Sequence, residues 1–317
     1  MRQVAYGPPF PHGLTSVGSG IRTPQGLLLS TGGNVAAYVD SGRNASQDAP
    51  DITRNSYTTL NAALGKCRSG AADIVVVMSG HAENISSADQ MSNLVAGTRI
   101  IGLGYGSNRP TFTWTAATAT LLLDVADVSI ENCILQMASS GNSGVTVAAP
   151  ITVSAANCSI RNCLINFGDD ANDLVTIGVT TTTAANRFEF SYNRCIGATA
   201  AECTTFLQVV GGDSVSIVGN YISGATSAVD VGIVRVLGTA STNMLIWGNY
   251  LANNLASSEE ALTLLASTTG FMDHNHLAVL DNASVAMDTV GNITMGNQNT
   301  LANTVGERGL VLGTASA

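Results

Sequence analysis

Seven short segments of this chain carry one pattern: a few alternating apolar residues, a turn containing Asn, then a second short apolar run. They are "VSIENCI" (128–134), "CSIRNCL" (158–164), "FEFSYNRCI" (188–196), "VSIVGNYIS" (215–223), "MLIWGNYLA" (244–252), "FMDHNHLAV" (271–279) and "ITMGNQNTL" (293–301). Their Asn residues are Asn132, Asn162, Asn193, Asn220, Asn249, Asn275 and Asn297, spaced 30, 31, 27, 29, 26 and 22 residues apart. Self-similarity at a near-constant period marks a solenoid, because a unit this short cannot bury its apolar face alone and must stack on its neighbours. Asn tolerates the left-handed conformation that a sharp corner needs. The seven Asn residues are therefore expected at one corner, most of them buried and bonded from coil to coil.

A second β-rich run lies between the repeats, at 144–153, 174–182, 205–210, 231–237 and 261–267. Two or three strands in each 22–31 residues describe one coil of a parallel β-helix. Counting back through "TRIIGLGYG" (98–106) gives about nine coils. The expected fold is all-β: a single-stranded, right-handed parallel β-helix. Charged residues are only 11% of the chain, against about 25% in an ordinary soluble domain. Gly, Ala, Ser, Thr and Asn fill the difference, which suits short strands and tight turns better than amphipathic helices.

One helix is expected, at 55–67 ("NSYTTLNAALGKC"), where Leu60, Ala63, Leu64 and Cys67 make one apolar stripe and Asn55 or Ser56 would cap it. It stands where a solenoid needs an end cap. Residues 1–36 are rich in Gly and Pro without a period and read as an extended N-terminal arm. Residues 37–300 are the expected solenoid body, and 301–317 a final rung and tail.

Net charge is −9 and the only lysine is Lys66, so binding to nucleic acid is not expected. The longest apolar runs, such as "IVVVM" (74–78), are far shorter than a membrane span. The N-terminus has no apolar stretch of the kind that a secretory signal needs. The six cysteines lack zinc spacing and read as buried, reduced thiols, with Cys133 and Cys163 on adjacent coils.

The order "AAYVDSGRNASQDAP", "YTTLNAALGKC", "DIVVVMSGHAENIS", "GTRIIGLGYGSNRPTFTW" and "VSIENCIL" resembles a family of right-handed parallel β-helix proteins of tailed bacteriophages and prophages, with a wider resemblance to the pectin lyase fold. It extends from residue 35 to the C-terminus and is most specific over 80–112. In that family the gene commonly lies beside the major capsid protein gene. The resemblance implies a virion structural protein on the capsid surface, made in the bacterial cytoplasm. Its partner would be the major capsid protein, and it would self-associate, with a trimer favoured. It supplies no catalytic residues, and neither cofactor nor metal is expected. The alternative is a tailspike or tail fibre that binds or cleaves host-surface polysaccharide.

Chemical candidates are sparse. "GDDAND" (168–173) groups Asp169, Asp170 and Asp173 but lacks the later Glu of a calcium loop, and reads as a surface turn. His274 and His276 flank an expected corner, which should splay them. His81 and Glu83 could do acid–base work, yet they sit near the capped end and read as a pair that steadies a turn. The glycines of "GLGYGSNRP" (102–110) are not followed by a helix, so they read as a coil turn rather than a phosphate loop. Tyr221, Tyr250, Trp114 and Trp247 look too few and scattered for a sugar-stacking platform, although Tyr221 and Tyr250 fall on adjacent coils. Finally, Asp173, Glu202, Asp230, Glu259 and Asp288 recur every 28–29 residues. They would form an exposed acidic stripe along one edge, because like charges at coil spacing cannot be buried together. Such a stripe is either an ordinary solvated edge or a contact for basic groups or cations.

Overall fold

The computed structural model describes residues 35–42, 56–137, 146–167, 174–197, 203–225, 232–254, 260–280, 287–288 and 292–302, together with the backbone of 15–17, 20–22, 28–29 and 308–311. The chain winds as a parallel β-solenoid. A full turn lays one strand in each of three sheets, named here sheet I, sheet II and sheet III in the order in which the chain visits them. Sheet I has eleven strands, from Ser56–Tyr57 and Val35–Val39 at one end to Asn292–Met295 at the other. Sheet II runs in parallel from Ala82–Ile85 to Asn299–Ala302, and sheet III from Leu121–Leu123 to Met287–Asp288.

In-register pairing makes continuous columns of like side chains. Ile100, Ile130, Ile160, Phe190, Ile217, Ile246 and Met272 stack on the inner face of sheet I. Phe112, Leu135, Ile165, Cys195, Ile222, Leu251 and Leu277 do so in sheet II. Leu121, Ile151, Val179, Leu207, Val234 and Leu262 form the third column. All are buried, and each contributes about 1.5–3 kcal/mol by leaving water. The alternate residues of each strand point outward, so a short in–out–in rhythm is enough to define a rung.

All three sheets are present in seven successive turns. The expected count of about nine included the two end turns. The first, which begins at Ile74–Val77, returns through a run of turns over 86–98 instead of a sheet III strand. The last ends at Asn299–Ala302, where Arg308–Val311 pairs with it antiparallel. The chain reverses direction there.

The helix, α1, is shorter than the 55–67 expected: it spans Leu60–Leu64. Thr59, not Asn55 or Ser56, is its N-cap, accepting a hydrogen bond from Ala62 N–H through its hydroxyl. Residues 56–57 are drawn into a sheet I strand beside Val35–Val39, which removes the first turn of the expected helix. That same strand, Val35–Val39, crosses the boundary expected between arm and body. Within the arm, the backbone of 15–17, 20–22 and 28–29 forms a small antiparallel sheet; the rest of 1–34 is outside the described residues.

Candidate functional site

In six successive turns the corner from sheet I to sheet II takes two residues, and each seat has its own demand. The first is left-handed: φ is 58° at Asn132, 54° at Asn162, 55° at Tyr192, 65° at Gly219, 66° at Gly248 and 57° at His274. The second turns inward and lies immediately before the sheet II strand. Pairing of those strands places His81, Pro110, Cys133, Cys163, Asn193, Asn220, Asn249, Asn275 and Asn299 at this inner seat.

In the inner seat, Asn residues form a ladder. The backbone N–H of Asn193 donates to Oδ1 of Asn220 at 2.9 Å, and its Nδ2 donates to the same oxygen at 3.2 Å. Asn220 repeats this with Asn249 at 2.9 and 3.0 Å, Asn249 with Asn275 at 3.0 and 2.9 Å, and Asn275 with Asn299 at 3.2 and 2.9 Å. The second amide hydrogen goes to the sheet I backbone, as from Asn220 to Phe190 O at 2.7 Å. All five side chains are buried, and their amides bind coil to coil.

All seven expected Asn residues lie at this corner, but three of them are not in the inner seat. Asn132 and Asn162 occupy the left-handed seat, one position early. Asn132 donates to Gly102 O and Gly104 O, while Asn162 is exposed. The inner seats of those turns hold Cys133 and Cys163. Both are free, buried thiols; burial pushes Cys163 up to about 12 and Cys133 well above its ordinary value. Asn297 is exposed, because the last corner is wider and Asn299 takes the inner seat.

A second left-handed row, not foreseen, precedes sheet I: Ala72, Gly97, Asp127, Asn157, Arg187, Ser214 and Asn243. Asn157 donates to Asp127 at 2.7 Å, Arg187 bonds to Asn157, and Asn243 donates to Asp213 at 2.7 Å. Its residue types differ at almost every turn, so no motif announces it.

The flagged polar groups hold the first turns together. His81 Nδ1 accepts from Ser41 N–H at 2.9 Å, so Nε2 carries the ring hydrogen, 3.2 Å from Glu83 Oε2. That oxygen also accepts Leu60 N–H at 2.7 Å, at the start of α1. The His–Glu pair is buried and fastens the helix to the first sheet II strand. Gly102 and Gly104 face the neighbouring corner: a Cβ on Gly102 would lie 2.4 Å from Asn132 O. On the outer face of sheet I, Glu131 Oε1 receives Arg99 at 3.1 Å and Arg161 at 3.0 Å, clamping three turns. Asp73 takes three bonds from Arg68, which hold its carboxyl below the usual range.

The aromatics are less scattered than the sequence suggested, although Trp114 is buried in the core. In register on sheet II, the Arg194 guanidinium lies 5.8 Å from the Tyr221 ring centre, Tyr221 stacks on Tyr250 at 4.9 Å and 4°, and Tyr250 on His276 at 5.0 Å. Around the corner, Trp247 stacks on His274 at 4.2 Å and lies 6.0 Å from Phe271. His274 and His276 thus fall on opposite sides of Asn275, each on its own aromatic partner. No protein-family model matches the chain, and no curated protein matches it in sequence. Among solved structures, one of pectin methylesterase in complex with a hexasaccharide superposes on 79% of this chain and 67% of its own, with a TM-score of 0.41 and 14% identity. The solenoid assignment rests on this chain's own strand pairing.

Of the acidic stripe, Asp173, Glu202, Asp230 and Glu259 lie outside the described residues, as do Asp169 and Asp170. Asp288 is described only as backbone, in the last strand of sheet III. Among the described residues, no group of three His, Cys, Asp or Glu is placed to hold a metal ion, and no helix is long and apolar enough to cross a membrane.

Proposed function

We propose that this chain is a non-catalytic structural protein of a bacteriophage virion, carried on the outer shell of the head as a decoration or cement protein and held there by the major capsid protein. One observation carries the reading: the polar side chains that could have served chemistry bond one coil to the next. Glu83, Glu131, Asp73 and the Asn ladder each tie separate turns or elements together. A stiff rod of this kind suits a shell additive, because every coil is hydrogen-bonded to its neighbours on three sides. The resemblance over 80–112 supports the same reading. Its His81, Glu83, Gly102 and Gly104 are engaged in the capped first turns, as a structural motif requires.

The tailspike or tail-fibre reading draws on Tyr221, Tyr250 and Trp247. Their ring faces, however, are turned to one another, leaving edges for a ligand rather than platforms. Copy number tests both. Cryo-electron microscopy of virions, or gel stoichiometry against the capsid protein, should show hundreds of copies per head; a few to a few dozen at the tail would overturn the decoration reading. Deletion of residues 1–34, which spares the strand Val35–Val39, should leave a β-rich protein that no longer coats heads. Undiminished coating would place the anchor elsewhere.

A further inference from the structure

The outer face of sheet I is apolar near both ends, and the two ends differ in exposure. Register places Ile74 in one outward column with Leu245, and Val76 and Ile101 in the other with Trp247. Leu245 and Trp247 are each 37% exposed, whereas Ile74, Val76 and Ile101 are 1%, 2% and 0% exposed. These three form an apolar cluster separate from the core of the rod, with Val35, Tyr38, Met78 and Leu103 partly buried against it. The columns are shared, so position on the sheet does not account for the difference. The first turns carry a cover that the later turns lack.

We propose that the cover is this chain's own N-terminal layer: the antiparallel sheet of Thr15–Val17, Gly20–Arg22 and Leu28–Leu29 lies on the outer face of sheet I, over the turns that begin at Ile74–Val77 and Arg99–Gly102. The chain's length keeps that layer close. Five residues separate Leu29 from Val35, a span of at most about 20 Å, and Val35 pairs with Ile74 itself. The small sheet also needs a support. Strands of three, three and two residues make too little of a sheet to stand without an apolar surface to bury against.

The chemistry of the two partners matches. Pairing sets Ile21 opposite Leu29, and Val17, Leu27 and Leu28 adjoin them in the sequence. The other segment that reaches this end, 43–55, has Ile52 as its one large apolar residue and carries four charges. It is a poor cover for three aliphatic side chains, because each charge brought onto an apolar surface must be stripped of water. The arm is thus a clasp on its own rod. The surface this end shows to other molecules is the far side of the small sheet, and residues 1–13 are left to extend beyond it. The inference is independent of the decoration reading, since a spike could carry the same clasp.

The test uses the full chain. A photoreactive benzophenone side chain in place of Leu28 should cross-link, within one molecule, to the peptides that carry 74–78 or 99–103, as read by mass spectrometry. Cross-links confined to other parts of the rod, or formed only between molecules, would overturn the proposal. Uncovering is read at Met78, by its rate of oxidation with peroxide, and by the fluorescence of a dye that binds apolar surface. Ile21→Asp combined with Leu29→Asp should speed Met78 oxidation at least about threefold, because sulfoxide formation follows exposure of the sulfur, and should raise dye binding. Ile52→Ser should change neither. An unchanged rate in the arm variant refutes the clasp, and a faster rate in Ile52→Ser alone would make 43–55 the cover instead. If the arm variant does not fold, the cross-link decides alone.

Discussion

Two seats one residue apart make opposite demands on the same residue type. At the left-handed seat, the cost to be avoided is the steric one of a Cβ at positive φ, and Asn, Gly, Tyr and His all occupy it. At the inner seat, the demand is for an amide that can accept from one coil and donate to another. The difference predicts a contrast between two substitutions. Asn220→Ala would orphan the N–H and Nδ2 of Asn193, at about 1–3 kcal/mol for each buried donor. Asn162→Gly leaves the left-handed conformation intact and should change stability by less than about 0.5 kcal/mol. Urea denaturation of both variants checks this, and equal effects would contradict the two-seat description. The sequence shows Asn in "ENC", "RNC" and "GNY" alike, so the seat was not legible from residue type. It depends on which neighbour turns inward, and that is settled by packing. Asp73 supplies a pH test. Hydrogen bonds from Arg68 lower its carboxyl in the folded state. Its contribution is therefore complete above the unfolded value near 3.9 and is lost as pH falls through the lower folded value. The stability gap between wild type and Asp73→Asn should stay constant from neutral pH down to about pH 5 and narrow below about pH 4.

At the scale of the element, the rungs were readable because an inward column needs only three or four alternating residues and a fixed return length. The same reasoning overextended α1. Its apolar stripe at Leu60, Ala63 and Leu64 is legible in the sequence, but pairing of Ser56–Tyr57 with Val35–Val39 is a long-range event that no local pattern reports. The stacked aromatics did leave a signal: Tyr221, Tyr250 and His276 each follow an inner-seat Asn directly. That shared position, rather than the number of aromatic residues, predicts stacking. For α1 the decisive contact is Glu83, which accepts the Leu60 N–H from within the rod. Glu83→Gln weakens a charge-assisted bond worth about 1.5–3 kcal/mol. Amide hydrogen exchange should accelerate at 60–64 and in the first turn, while the strands around Ile217 keep their protection. Uniform acceleration along the rod would mean that the cap and the body unfold as one unit.

At the scale of the molecule, stability is nearly a sum of coils and the contacts between adjacent coils. The buried thiols report on the body. Cys133, Cys158, Cys163, Cys195 and Cys203 are buried and Cys67 is partly exposed. An alkylating reagent at pH 8 should therefore label Cys67 first and the other five only on unfolding, which mass spectrometry can read. One feature at the far end bears on what happens between molecules. Sheet II finishes with Arg308–Val311 running against the direction of the nine strands before it. A parallel stack is an open template: its last strand displays a full row of amide and carbonyl groups in the register that another identical turn would need. Reversing the final strand changes the spacing and slant of those groups, so an incoming parallel turn finds no match. The strand thus acts as a terminator for growth along the axis. Truncation after residue 302 would remove it and leave Asn299–Ala302 as a parallel edge. Such a chain should lengthen end to end into fibrils that bind thioflavin T and seed their own growth, while the full-length protein at the same concentration stays in solution.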